Sequence, residues 1–253
     1  MQPQHPAVLV ISLYVETHRP RHLAVSVLFW GSALTTGTRV MVFVDGFNLY
    51  HALDDLCKNL TKTTAIKHNH LKWLDLHGLS SAFITKADSL AGVYYFSAYA
   101  TWRQNGSYQR HQTYVQALQS KGVAVVLGKF KERPNQCKKC GAQWIKHEEK
   151  ATDVNIAIHL VQAAYADKFD RAIVMTADTD IVPAIRMVKK LFPNKQVDVA
   201  IPVGHTGKTA ELRMVCDNTI TMKLSHFQRN RLPETFTTAK GTTVTVPDAY
   251  KIK

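Results

Sequence analysis

Short unbroken apolar runs alternate with stretches of helical periodicity along most of the chain. The run at residues 40–44, VMVFV, stops abruptly at Asp45. Such a run suits a strand buried on both faces, as in a parallel sheet between helices. Gly46 permits a tight turn, and residues 47–57 read as a helix. Residues 71–86 predict another, with Leu71, Leu74, Leu79 and Phe83 inward and Gly78 as a break. Residues 90–100, LAGVYYFSAYA, are rich in β-formers and predict a second strand, with Tyr94, Tyr95 and Phe96 in the core. Residues 108–120 predict a helix and 123–127 a third strand. Residues 153–166 carry Ile156, Ala157, Leu160, Val161 and Ala164 at helical spacing. A buried strand follows at 171–176, then a helix at 181–191 with Pro183 in its first turn, where proline is tolerated. Residues 197–201 predict a fifth strand, 209–215 a short helix and 219–223 an edge strand.

This alternation predicts an α/β domain over residues 39–225, with helices on both faces of a mainly parallel sheet. Residues 128–150 interrupt it as a basic, irregular insertion. Residues 226–253 read as a C-terminal tail. Residues 1–38 read as a weakly ordered extension from an upstream start. Its two apolar stretches, 7–15 and 23–34, fall short of the roughly 18 residues expected of a membrane span.

Charge adds a partner. Lys and Arg exceed Asp and Glu by 13, and the isoelectric point is about 9.6. An anionic partner follows, with nucleic acid the usual one. The four cysteines, at 57, 137, 140 and 216, make no disulfide framework in a chain of this length. They fit a reducing, cytoplasmic setting. A homo-oligomer is compatible with the sequence.

The candidate chemistry is acidic. Asp45 follows the first strand, and Asp178 and Asp180 follow the fourth. Parallel strands bring these ends to one sheet edge, where open α/β sheets bind ligands. Asp153 begins a helix. Each acid has a local alternative as a helix cap or first-turn residue. Together they would repel one another unless a cation offset them. Hard divalent ions with oxygen ligands fit such a set. Mg²⁺ or Mn²⁺ there can activate water and steady a leaving phosphate.

The segments FVDGFNLY, KATDVNIAIHL and TADTDIVPAIR resemble, in order, the three motifs of the NYN domain, a branch of the PIN-like nuclease superfamily. The bacterial group with a CxxC segment before the second motif is the nearest match. The resemblance implies a PIN-like Rossmannoid three-layer α/β/α fold and metal-dependent RNA cleavage. Asp45, Asp153, Asp178 and Asp180 fall on the family's acidic positions, and Asn48 on its Asn after the first Asp. Asp45, Asp153 and Asp178 are expected to hold the ion. Asp180 is expected to ligate through water or orient the nucleophile, and Asn48 to bond a carboxylate or a substrate phosphate. Ala177 replaces the usual Gly, and His159 stands where some relatives carry a further acid. Two rivals remain. One is an RNA-binding or scaffold protein with a slow site. The other is a haloacid-dehalogenase-like phosphatase, which wants a second Asp where this chain has Phe47.

Within the insertion, Cys137-Lys-Lys-Cys140-Gly141 has the form of a zinc knuckle. A full site needs two more ligands, with His147, Cys57, Cys216, His68 and His70 as candidates. Lys129, Lys131, Arg133, Lys138, Lys139, Lys146 and Lys150 surround the pair, with Phe130 and Trp144 interleaved. Cations track a phosphate backbone and exposed rings stack on unpaired bases, so this segment is expected to guide RNA toward Asp153.

Overall fold

The structure, a computed structural model, describes residues 37–204, 209–238 and 241–252. Its central sheet is built from β1 (Arg39–Asp45), β2 (Ser89–Ser97), β3 (Ala124–Leu127), β6 (Arg171–Met175), β7 (Gln196–Ile201) and β8 (Thr219–Thr221). The spatial order is β3-β2-β1-β6-β7-β8, and every pairing is parallel. The two halves of the chain therefore wind outward from β1 and β6, which lie side by side at the centre.

Helices cover both faces, as the unbroken apolar run of β1 requires. Val40, Val42 and Val44 pack with α1 (Gly46–Thr64), α2 (Leu76–Ser81) and α3 (Ser107–Ser120) through Leu49, Leu53, Leu79 and Leu118. Met41 and Phe43 face the other way. They join Ile156 and Leu160 of α4 (Thr152–Tyr165) and Ile185 and Val188 of α5 (Val182–Leu191). Each fully buried side chain of this kind contributes about 1.5–3 kcal/mol. Phe43 stacks on Tyr94 at 5.7 Å, so Tyr94 belongs to the core as expected. Among the described residues, no helix is long and apolar enough to cross a membrane.

Four local expectations change. Gly46 does not form a tight turn; it opens α1, where a Cβ would meet the Phe96 carbonyl oxygen and the Tyr95 ring at 2.5 Å each. Close approach, not turning, requires glycine there. The helix expected at 71–86 is a 3₁₀ turn at Asn69–Lys72 followed by the short α2. Asp75 divides them, because its carboxylate caps α2 by accepting from the Gly78 N–H at 3.0 Å. Residues 128–150 are not irregular: β4 (Lys129–Gln136) and β5 (Gln143–Lys150) form an antiparallel hairpin in register from Lys129↔Lys150 to Gln136↔Gln143.

The C-terminal segment is no tail either. α6 (Leu224–Arg229) and the small hairpin of β9 (Thr235–Thr237) and β10 (Thr243–Thr245) bury Phe227, Leu232, Phe236 and Val246 in the core beneath α1–α3. Trp73 anchors them, donating its indole N–H to the Pro233 carbonyl at 2.9 Å. The expectation for the N-terminal extension lies outside the described residues, apart from positions 37 and 38.

Candidate metal centre and nucleic-acid interface

The ends of β1 and β6 are tied together by side chains. Asp45 is only 4% exposed. It caps α1 by accepting from the Asn48 N–H at 3.0 Å, and its other oxygen accepts from the Thr176 hydroxyl at 2.9 Å. Thr176 Oγ1 in turn accepts from the Asp178 N–H at 3.0 Å, and Asn48 Oδ1 accepts from the Ala177 N–H at 2.9 Å. Asp178 caps the next turn, accepting from the Asp180 N–H at 3.0 Å. Capping and site formation are therefore not alternatives. The caps fix the backbone that presents the acids.

Asp153, Asp178 and Asp180 each place a carboxylate oxygen within 4.8 Å of the other two. Asp153 comes from the first turn of α4 and the other two from the loop after β6. Asp45 stands outside this trio, with both its oxygens already hydrogen-bonded. The structure thus brings three of the four expected acids together and sets the fourth behind them. Asn48 accepts from the Ala177 N–H through its amide oxygen and so braces the loop; a carboxylate or phosphate would be met by its amide N–H groups, not by that oxygen.

Among the described residues, nothing compensates the charge of the trio. Burial pushes the Asp153 carboxyl up to about 6, helped by the charges of Asp45, Asp178, Glu149 and Asp180. Burial likewise raises Asp45, with Asp178 adding to the effect. Among the described residues, no Lys or Arg lies within ion-pair distance of Asp45, Asp153, Asp178 or Asp180. Clustered oxygens of this kind suit a hard divalent cation.

Glu149 is an acid that sequence reasoning missed. Its Oε1 accepts from the Thr152 N–H at 3.0 Å and from the Thr152 hydroxyl, which lashes the end of β5 to the start of α4. Between them Ala151 adopts a left-handed backbone, φ 80°. Gly128 sits beneath, where a Cβ would meet the Lys150 carbonyl oxygen at 2.8 Å and Thr152 Oγ1 at 2.9 Å. The available signal was Glu149 lying four residues before the predicted helix start. His159, at the family's variable acidic position, turns its ring onto Phe96 at 5.3 Å and Tyr94 at 5.7 Å. It is occupied by the aromatic core and does not join the trio.

Register sorts the hairpin into two faces, because alternate residues of a strand share a side. Lys129, Lys131 and Arg133 pair across with Lys150, Glu148 and Lys146. That face carries five cations and one acid, and Arg133, Lys146 and Lys150 all reach Glu148, at 3.4, 3.1 and 3.2 Å. The other face carries Phe130 and His147. Phe130 meets Phe47 at 5.6 Å and Trp102 at 4.5 Å, while His147 stacks on Trp102 at 3.8 Å. These aromatic contacts hold the hairpin to the domain and leave the basic face outward. Lys138 and Lys139 lie exposed at the tip, and Trp144 is 48% exposed.

Cys137 and Cys140 also lie at the tip, where the Gly141 N–H donates to the Cys137 carbonyl at 2.9 Å. The N–H groups of Cys140 and Lys139 hold the Cys137 thiol below its ordinary range. No third candidate ligand joins them among the described residues. His147 is committed to Trp102, and Cys57 and Cys216 are buried elsewhere in the fold.

Comparison with known proteins gives the family. The sequence model of the NYN domain matches residues 39–223, and the chain belongs to that family. It is 23% identical over 230 residues to 6-hydroxy-3-succinoylpyridine 3-monooxygenase HspA of Pseudomonas putida, a match covering 77% of this chain and 67% of that one. Among solved structures, a protein of unknown function from Vibrio parahaemolyticus is similar at a TM-score of 0.47 and 17% identity, covering 75% of this chain and 95% of that one.

Proposed function

We propose that the protein is a metal-dependent endoribonuclease. The observation that carries this reading is the trio Asp153, Asp178 and Asp180. It lies on the NYN fold, at the edge where parallel sheets bind ligands, with no cation among the described residues to balance it. The trio would hold Mg²⁺ or Mn²⁺, which supplies charge for the scissile phosphate and lowers the pKa of attacking water. Asp45 acts one step back: through Thr176 it fixes the backbone that carries Asp178. Asn48 braces the same loop through Ala177. Glu149 adds negative charge beside Asp153 and anchors the hairpin to α4.

RNA is the substrate in this reading, and the outward basic face of the hairpin brings it in. Lys129, Lys131, Arg133, Lys146 and Lys150 track the phosphate backbone, with Lys138 and Lys139 extending the path to the tip. Cysteine usage supports a reducing, cytoplasmic setting. Zinc at Cys137 and Cys140 is no part of this reading, because two thiolates make half of a structural site.

The test is incubation of the purified protein with mixed labelled RNAs in Mg²⁺, Mn²⁺ or EDTA. Cleavage in the metal arms, lost in EDTA and reduced at least about 100-fold in Asp178→Asn, supports the reading; outer-shell partners of metals alone cost 10–100-fold. Binding without cleavage in every arm would replace it with an RNA-binding or scaffold role.

A further inference from the structure

Beside Asp45 the fold contains a cavity that the acidic trio does not use. It measures about 170 Å³ and lies between α1, α3 and the end of β2. Its walls are largely aromatic, with Phe47, Tyr50, Tyr95, Tyr108 and Tyr114 on the domain side and Tyr250 from the C-terminal segment. Among the described residues no carboxylate lines it, whereas Lys72, Arg103 and Arg110 do. Lys72 is committed to Asp54. Arg103 is exposed and so lies where the cavity meets solvent. Arg110 reaches the Asn105 carbonyl at 3.2 Å.

Two polar groups inside are poorly satisfied. The Ser107 hydroxyl is buried with no hydrogen-bond partner. His111 has its Nε2 3.4 Å from both the Tyr95 and the Ser97 hydroxyls, longer than a good bond. Burial lowers its pKa to about 4, so the ring is neutral near pH 7 and offers one donor and one acceptor. Buried polar groups without partners cost stability unless something completes them. The cavity is smaller than the roughly 300–1,000 Å³ typical of sites for drug-sized ligands, which suits a single planar ring system.

We infer that this cavity receives an unpaired base of the RNA, stacked among the tyrosines and hydrogen-bonded by Ser107 and His111, with its phosphate held by Arg103 and Arg110. The inference rests on the ribonuclease reading and names how that site chooses where to cut. Three links place the cavity in the path of a bound strand. Gly46 and Phe47, which line it, directly follow Asp45. Burial raises the pKa of the Tyr95 hydroxyl, and the nearby Asp45 charge adds to it. Phe130, another lining residue, belongs to the hairpin whose opposite face is basic.

Binding in EDTA tests the cavity apart from the metal. Uridine and adenosine 5′-monophosphates, their nucleosides and nicotinate, a free aromatic carboxylate, are titrated into the full-length protein by calorimetry. At least one monophosphate should bind about tenfold more tightly than its nucleoside, and Arg103→Gln should erase that difference. Ala100→Phe, which fills the cavity, and Ser107→Val should each weaken binding about tenfold, the scale of one base stack, with circular dichroism confirming the fold. In Mn²⁺, Ala100→Phe should flatten the base preference at the cut sites.

Monophosphate binding unchanged in both cavity variants would overturn the inference, as would binding of nicotinate alone. A protein that binds monophosphates in the cavity yet cleaves no RNA sinks the ribonuclease reading and leaves the pocket standing. A protein that cleaves with the same preference when the cavity is filled sinks the pocket and leaves the ribonuclease.

Discussion

The two ends of the central sheet treat the same residue type in opposite ways. At the N-terminal end, Asp170 and Asp198 are each answered by an arginine. Arg39 meets Asp170 at 2.7 Å, and its guanidinium holds that carboxyl below the usual range. Arg171 meets the fully buried Asp198 at 2.6 Å, with Gln196 and Asn218 also donating to it. At the C-terminal end, Asp45, Asp153, Asp178 and Asp180 crowd together without Lys or Arg among the described residues. Paired acids are structural fittings. The unpaired ones lie at the edge where such sheets bind ligands, and the proposed metal site rests on them.

The largest effect expected from breaking this contrast lies at the structural end. Asp198→Ala leaves Arg171 partly buried without its ion-pair partner, and should cost about 3–5 kcal/mol in urea unfolding. A cost under about 1 kcal/mol would show that the pairing is not structural. By contrast, Asp178→Asn should unfold at the same urea concentration as wild type or later, since it relieves like-charge repulsion in the metal-free protein.

Acidity separates the two sorts of buried group. With the Asp153 carboxyl raised from its ordinary 3.8 to about 6, the folded chain holds a proton that the unfolded chain has released. Its contribution is full below pH 3.8 and is lost as pH rises through about 6. His111 works in the opposite sense. Its ring is lowered from 6.5 to about 4, so its contribution is full above 6.5 and is lost as pH falls through about 4. Thermal melts in EDTA between pH 4 and 6.5 should therefore rise more steeply with pH in Asp153→Asn than in wild type, and less steeply in His111→Gln. Parallel curves for all three proteins would refute both assignments.

The hairpin should respond in binding and not in chemistry. Replacing Lys129, Lys131 and Lys150 with Gln should lower the slope of log affinity against log salt by roughly 0.7 for each single-strand phosphate that is no longer neutralised. The cleavage rate at saturating RNA should hold. Glu132→Gln, on the opposite face, should leave the slope alone. Smallest of all, Ala151→Gly removes a left-handed alanine before α4 and should stabilise the fold by up to about 1 kcal/mol. A loss of stability would mean that the alanine methyl makes an interaction worth more than its backbone strain.

Much of this was legible in the sequence, for identifiable reasons. Strands buried on both faces leave unbroken apolar runs, so β1 and β6 stand out, and with them the edge that carries Asp45 and Asp178. The hairpin was not legible as a strand pair, because Lys129-Phe130-Lys131-Glu132-Arg133 alternates charge with a single ring and lacks an apolar face. The C-terminal segment buries isolated residues, Phe227, Phe236 and Val246, whose spacing follows no helix or strand period. Its role depends on Trp73, 160 residues before the Pro233 carbonyl it bonds. The setting of Asp45 behind the trio depends on the Thr176 hydroxyl, and the cavity on side chains from α1, α3 and Tyr250. Such long-range pairings leave no local pattern.

Mn²⁺ binding to the metal-free protein, followed by calorimetry or by electron paramagnetic resonance at pH 7.5, tests the central claim most directly. The account predicts a site on the wild-type protein that Asp153→Asn and Asp178→Asn each weaken at least about tenfold, the low end for outer-shell losses. Asp170→Asn, at the paired end of the sheet, should bind as wild type does. Equal Mn²⁺ affinity in the wild type and in both C-terminal-edge variants would contradict it.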